Sequence, residues 1–238
     1  MDLTRIKQII SENEWSKKMA EPVLNLNVWR RYLMKRSFTK DSEDRMALSV
    51  LKKRFGIEPD AVRYMDIGAN HYLRGSNSYL CYRYGGNGVL VEADPLLCEN
   101  LKRMRPRDQV LNVAVTDKED AGELTFYVCS LPTRSTLDKD QAEALVEAGF
   151  SIEKEISIQS MTLSEMIEKS GVMPDYLSID VEGYDLRVLK QTDFEKYPIK
   201  VIIAEYDEDD IDEMRSVMAS KSYRLYKCYS SNALFIRV

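Results

Sequence analysis

No stretch of the 238-residue sequence approaches the roughly 18 consecutive apolar residues that a membrane span requires, so no membrane partner is expected. The N-terminus, Met1-Asp2-Leu3-Thr4-Arg5, mixes charges before any apolar run and lacks a small-residue cleavage site, which points to a cytoplasmic location. Cysteine is scarce. Cys81, Cys98, Cys129 and Cys228 are scattered and form no C-x-x-C pair, which excludes a zinc knuckle or a disulfide framework and leaves reduced, mostly buried thiols. Positive charge is outnumbered, with 34 lysines and arginines against 39 acids and a formal net charge of −5, so no nucleic-acid partner is expected: phosphate binding needs a basic face. The local cluster Lys102, Arg103, Arg105 and Arg107 reads as a solvated helix end, with a phosphate or acidic sugar as the alternative partner. What remains is an ordinary globular composition, 44% hydrophobic and 31% charged, long enough for one large domain with an N-terminal extension.

Residues up to about Ile57 carry helical periodicity, with Leu24, Val28, Tyr32 and Met34 apolar among charges, and both tryptophans, Trp15 and Trp29, fall here. Residues 1–60 are expected to form a helical cap that either covers a substrate pocket or forms a homodimer interface, the second being favoured. Over 61–238 the pattern changes to short β-prone runs separated by helical stretches, the signature of βαβ units in an α/β domain with a mainly parallel sheet. Strands are expected over Val62–Met65, Gly88–Val91, Val110–Val113, Tyr176–Ile179 and Val201–Ala204. Further β-rich pieces, Glu123–Val128 and Ile152–Ile158, flank a helical segment at Lys139–Ala148, and Tyr223–Lys227 with Ala233–Arg237 closes the chain as an antiparallel hairpin. Five parallel strands and the hairpin make a seven-stranded, Rossmann-like sheet.

The first strand runs into Asp66-Ile67-Gly68-Ala69-Asn70, a small-residue turn that lets a ligand approach the backbone. The next strand ends on Glu92, near the spacing at which an α/β fold places an acid on ribose hydroxyls. The glycine-rich G-x-G-x-x-G that cradles a pyrophosphate is absent, which disfavours a nicotinamide dinucleotide. Adenosylmethionine has no pyrophosphate and suits the turn better. A third strand end, Leu111-Asn112-Val113-Ala114-Val115, lies beside the adenine pocket in this topology.

With these residues in view, the chain resembles the FkbM family of methyltransferases. Five strings come in the family's order between Tyr64 and Tyr206: Asp66-Ile67-Gly68-Ala69-Asn70; Val91-Glu92-Ala93-Asp94-Pro95; Asn112-Val113-Ala114-Val115; Ser178-Ile179-Asp180-Val181-Glu182-Gly183-Tyr184-Asp185; and Ile203-Ala204-Glu205. The stretch His71–Ser78 also looks like a form found in bacterial members, although many of those carry a proline where this chain has Tyr72. The resemblance implies a class I methyltransferase fold and S-adenosylmethionine as cofactor, held by Asp66, Gly68, Asn70, Ser76, Asn77, Glu92, Ala93, Asn112, Ala114 and Asp180. It also implies O-methylation of a sugar, such as a nucleotide sugar or surface-polysaccharide precursor, or of a related polyhydroxyl natural product.

An alcohol must lose its proton to attack a methyl carbon, and ligands in open α/β sheets lie at the carboxyl ends of the strands. The candidates there are His71, Asp180, Glu182 and Glu205. Carboxylates gathered at one point repel unless a proton, a cation or acceptor hydroxyls relieve them. One solution is Mg²⁺ on Asp180 and Glu205, which would lower the acceptor's pKa; the other is direct general-base catalysis by Asp180, Glu182 or His71. The run Asp207-Glu208-Asp209-Asp210 reads as a solvated loop into a capped helix, Ile211–Ala219, with the gripping of a cationic or polyhydroxyl substrate as the alternative. Cys129–Lys139, with Thr133, Arg134, Ser135 and Thr136, is either a lid over the acceptor, where Arg134 would meet a phosphate or carboxylate, or a plain surface turn. Two alternatives stay open: an amine or phosphate oxygen as nucleophile, and a domain that binds adenosylmethionine or a partner without catalysis.

Overall fold

A computed structural model describes residues 37–238 except 119, 182 and 208, and of residue 133 the backbone alone. In chain order the strands are β1 Arg63–Ile67, β2 Asn87–Glu92, β3 Gln109–Asn112, β4 Ala114–Val115, β5 Glu123–Cys129, β6 Ile152–Met161, β7 Tyr176–Ile179, β8 Val201–Glu205, β9 Tyr223–Cys228 and β10 Asn232–Arg237. The helices are α1 Glu43–Phe55, α2 Tyr79–Tyr84, α3 Pro95–Met104, α4 Lys139–Glu147, α5 Leu163–Ser170, α6 Asp185–Gln191 and α7 Ile211–Ser220.

Seven strands form one sheet in the order β3-β2-β1-β7-β8-β10-β9, with β3, β2, β1, β7 and β8 parallel and β10 antiparallel to both β8 and β9. This is the Rossmann-like, class I methyltransferase α/β arrangement expected from the sequence, with the closing hairpin in place. The central strands are buried on both faces: every described residue of Tyr176–Ile179 is buried, as are the last four of β1 and the first four of β8. Apolar runs without alternation are what a parallel sheet covered on both sides demands. Met65, Ile67, Val89, Val91, Leu177, Ile179, Ile202 and Ala204 pack on one side against Leu163, Met166 and Ile167 of α5, Val188 and Leu189 of α6, and Met214 and Met218 of α7. The spacing 163, 166, 167 is one face of a helix, and a Thr162/Glu165 capping box starts it. Helices α1, α2 and α3 bury Leu48, Leu51, Leu80, Cys81, Leu97 and Leu101 outside that cluster.

The order reverses between β1 and β7, since β1 leads outward to β2 and β3 whereas β7 leads to β8; ligands in open α/β sheets bind at such a switch point. Beyond Asn112 the chain leaves this sheet, and β4 pairs with β6 in a second, three-stranded sheet of order β4-β6-β5. Of the helical cap expected over 1–60, residues 1–36, with Trp15, Trp29, Leu24, Val28, Tyr32 and Met34, lie outside the described residues. Residues 37–60 belong to one compact unit with the rest of 37–238. Among the described residues no helix is long and apolar enough to cross a membrane.

Arg105 corrects the reading of its cluster as a solvated helix end. It is fully buried, and its Nε pairs with Asp108 at 2.7 Å while its Nη2 donates to the Tyr64 hydroxyl at 2.9 Å and to Ser78 Oγ at 3.1 Å. Tyr64 donates in turn to Asp108 at 2.7 Å. Its ring fits because residue 88 is glycine: a Cβ there would stand 2.3 Å from Tyr64 Cδ2. Lys102 meets Glu99 at the surface, and the Arg107 guanidinium lies 3.8 Å from the Tyr82 ring centre. Removing one partner of a buried pair leaves an uncompensated charge. Arg105→Ala is therefore expected to cost about 3–5 kcal/mol of stability in urea unfolding; a loss under about 1 kcal/mol would contradict the role given to this network.

Candidate active site

The turn after β1 shapes one end of a cavity of about 610 Å³ at the switch point. Gly68 has φ 75°, a left-handed conformation, and a Cβ on it would stand 1.8 Å from the Asp180 carbonyl oxygen. The N–H groups of Gly68 and Ala69 both donate to Val91 O at 3.0 Å, and Asp180 N–H donates to Ile67 O at 3.0 Å, so the turn is held between β2 and β7. Asn70 follows at φ 46°, a conformation asparagine tolerates better than most residues, and its N–H donates to Glu92 Oε2 at 2.8 Å. Glu92 Oε1 accepts from Asp94 N–H at 2.8 Å. Burial pushes the Glu92 carboxyl up to about 7 against the pull of these amides. Each Glu92 oxygen accepts one amide and keeps a lone pair for a ligand hydroxyl. Asp94 caps α3 by accepting from Leu96 N–H at 2.7 Å, with Pro95 at the first helical position.

Asp66 is buried beneath the turn and accepts from Ser78 Oγ at 2.5 Å; burial raises its carboxyl, while Ser78 and Arg105 oppose the shift. Asn77 Nδ2 donates to Ser178 Oγ at 3.0 Å, and its Oδ1 has no hydrogen-bond partner among the described residues. Gln141 Oε1, also on the cavity wall, has none either. Buried polar atoms are normally paired, so two such oxygens on one cavity are suited to a ligand's donors.

Beside the turn, on the β7–β8 side of the cavity, stand Asp180, directly after β7, and Glu205, the last residue of β8. Ile179 and Ala204 are partners in register, so the two carboxylates occupy adjacent strand ends. Asp185, Asp207 and Asp210 line the same space, which with Asp66 and Glu92 makes seven carboxylates among the described residues, against the two guanidinium groups of Arg74 and Arg134. That excess suits a ligand with positive charge. Asp207 and Asp210 thus line the cavity, with Asp207 exposed as a solvated loop requires, and the Asp210 side chain does not cap α7. Among the described residues, no group of three or more His, Cys, Asp or Glu is placed to hold a metal ion.

Of the expected site residues, Asp66, Gly68, Asn70, Ser76, Asn77, Glu92, Ala93, Ala114, Asp180 and Glu205 line this one cavity. Glu182 lies outside the described residues. Asn112 is not on the cavity wall: its amide donates to the carbonyls of Glu92 and Ala93 at 2.9 and 2.8 Å and holds the end of β2. His71 is not on the cavity wall. Its Nδ1 accepts from the N–H groups of Leu73 and Arg74, each at 3.0 Å, and its ring stacks on Tyr72. Sequence reasoning weighed the turn after the small sheet, with Thr136, as a lid over the acceptor, but missed Phe126 and Gln141 on the same wall. No local motif marks them, because β4 meets β6 across more than forty residues. Asp185 had a signal, standing in a string already aligned with the family.

Burial, with a smaller contribution from Arg74, lowers the His71 imidazole from the usual 6.5 to about 4. With Nδ1 accepting, the neutral ring carries its proton on Nε2. Below pH 6.5 the unfolded chain takes up a proton that the folded one refuses until about 4, so this group lowers stability as pH falls through that window. As the chain has one histidine, its NMR signals are unambiguous. They are expected to show the Nε2-protonated tautomer from pH 6 to 8 and a midpoint near 4; a midpoint near 6.5 would contradict this burial.

The family model of the methyltransferase FkbM domain matches residues 66–225, about two thirds of the chain. No curated protein matches significantly. Solved structures with a similar chain course include a TehB-like SAM-dependent methyltransferase from Corynebacterium glutamicum, at 10% identity and TM-score 0.43 over 90% of this chain and 96% of that one. An O-methyltransferase from Bacillus cereus in complex with SAH is similar at 11% identity and TM-score 0.43, over 97% and 96%. Aeropyrum pernix fibrillarin with natively bound S-adenosyl-L-methionine is similar at 10% identity and TM-score 0.44, over 87% and 84%. With two thirds of its length matched in register, the chain belongs to the FkbM family of S-adenosylmethionine-dependent methyltransferases.

Proposed function

We propose that the protein methylates a hydroxyl of a sugar or related polyhydroxyl small molecule. The observation that carries this reading is the placement of Asp180 and Glu205 at adjacent strand ends of the cavity that Glu92 lines. When bound, adenosylmethionine supplies an electrophilic methyl carbon on a sulfonium, whose charge suits the carboxylate excess. Glu92 accepts the ribose hydroxyls with the lone pairs its two amide partners leave free. Gly68 and Ala69 bring the backbone close to the cofactor, while Val113, Ala114 and Phe126 give an apolar surface for the adenine. Asn112 acts as a positioning residue for the 92–93 segment.

Asp180 takes the proton from the acceptor hydroxyl as the oxygen–carbon bond forms and the carbon–sulfur bond breaks. Glu205 orients the acceptor by accepting from a neighbouring hydroxyl. His71 falls out of this scheme, because its acceptor nitrogen is occupied by two backbone amides. If the reaction uses Mg²⁺, Asp180 and Glu205 are the residues that would hold it, supplying charge that lowers the acceptor's pKa.

Asp180→Asn is expected to keep S-adenosylhomocysteine affinity and to lower turnover at least about a hundredfold with any accepted sugar; unchanged turnover removes Asp180 from the chemistry. Glu92→Ala is expected to weaken S-adenosylhomocysteine at least about tenfold by calorimetry, through loss of a charged acceptor for two hydroxyls. Wild-type affinity in that variant sinks the ribose assignment. Activity of chelator-treated protein with and without added Mg²⁺ separates the metal-assisted from the metal-free route.

A further inference from the structure

The turn between β5 and α4 places three consecutive hydrogen-bond donors on the cavity wall: Arg134, Ser135 and Thr136. Their backbone N–H groups are committed, to Leu131 O at 2.9 Å, Pro132 O at 3.3 Å and Tyr127 O at 3.1 Å. Tyr127 returns an N–H bond to Thr136 O at 2.9 Å, which fixes the turn to the small sheet. The side chains are committed only as acceptors. Ser135 Oγ takes the N–H of Cys129 at 3.1 Å and Thr136 Oγ1 takes that of Asp138 at 3.0 Å, so both hydroxyl protons remain to be donated. Ser135 is 9% exposed and Thr136 2%, a setting in which an unused donor is costly. The Arg134 guanidinium, exposed at the rim, makes no ion pair among the described residues, although carboxylates line the cavity elsewhere.

Two hydroxyl protons and a planar fork of guanidinium donors on one turn match the oxygens of an anion. Gln141, on the same wall, adds an unpartnered acceptor for a hydroxyl beside that anion. We propose that Arg134, Ser135 and Thr136 form an anion subsite, and that the acceptor carries a phosphate or carboxylate group as well as the hydroxyl to be methylated. This inference rests on the reading of the cavity as a site of methyl transfer to a polyhydroxyl molecule.

The test is calorimetric titration of the full chain, saturated with S-adenosylhomocysteine, with uridine diphosphate glucose, glucuronate and glucose, in wild type and in Arg134→Gln. The expected result is that at least one anionic ligand binds at least about tenfold more tightly than glucose, and that Arg134→Gln removes this advantage without altering S-adenosylhomocysteine affinity. Preference for the nucleotide sugar identifies a phosphate, and preference for glucuronate a carboxylate. Arg134→Lys, which keeps the charge but loses the fork, is expected to restore part of the advantage. Equal affinities for the three ligands, no measurable binding of either anion, or an advantage that survives Arg134→Gln would overturn the subsite alone. Failure of the wild type to bind S-adenosylhomocysteine shows before any sugar is added; it contradicts the methyltransferase reading and removes this inference with it.

Discussion

Where β1 ends, the backbone passes so close to the end of β7 that residue 68 has no room for a side chain: its Cβ would stand 1.8 Å from the Asp180 carbonyl oxygen. Glycine permits both that approach and the left-handed φ of 75°. The rest of the site depends on this crossing. Because the turn is tight, the N–H groups of Gly68 and Ala69 reach Val91 O on β2, and Asn70 N–H reaches the Glu92 carboxylate. Because it lies against β7, Asp180 is fixed by its own N–H bond to Ile67 O. Glu92 and Asp180, at opposite ends of the proposed reaction, are thus tied to the same five-residue turn.

Charge is distributed around this frame in a consistent way. Carboxylates dominate the cavity, and a sulfonium donor is favoured by them while its neutral thioether product is not. Two of these acids, Asp66 and Glu92, are buried deeply enough that their carboxyls shift upward, which lessens the repulsion among the cavity's acids. Asp66 is held by Ser78, and Ser78 by the buried Arg105. The floor of the cavity beneath the β1 turn is therefore continuous with the Arg105, Asp108 and Tyr64 network that packs α3 onto the sheet.

Much of this was legible in the sequence. Strand periodicity placed all seven strands of the main sheet within two residues of their ends, and Tyr176–Ile179 matched at both. The strings containing Asp66, Glu92 and Asp180 were recognisable because a strand end, a small-residue turn and an acid leave a local signature. Other features have no local signature. A buried Arg105 is indistinguishable in sequence from its exposed neighbours, since its burial depends on Tyr64, Ser78 and Asp108 converging from separate elements. Likewise, the orientation of His71 is set by amides two and three residues later, which turned an apparent base into a hydrogen-bond acceptor for its own loop. Phe126 and Gln141 on the cavity wall have no local signature either, because the long-range pairing of β4 with β6 brings their segment there.

The most direct measurement is S-adenosylhomocysteine affinity in wild type and in Gly68→Ala, with each protein's fold checked by circular dichroism and thermal melting. If the crossing of residue 68 with Asp180 shapes the donor site, the wild type binds and a folded Gly68→Ala loses binding by at least about a hundredfold, as a backbone forced apart by one Cβ withdraws the turn from the cofactor. Wild-type affinity in a folded Gly68→Ala would contradict that dependence. Absence of binding in the wild type would contradict the donor site itself.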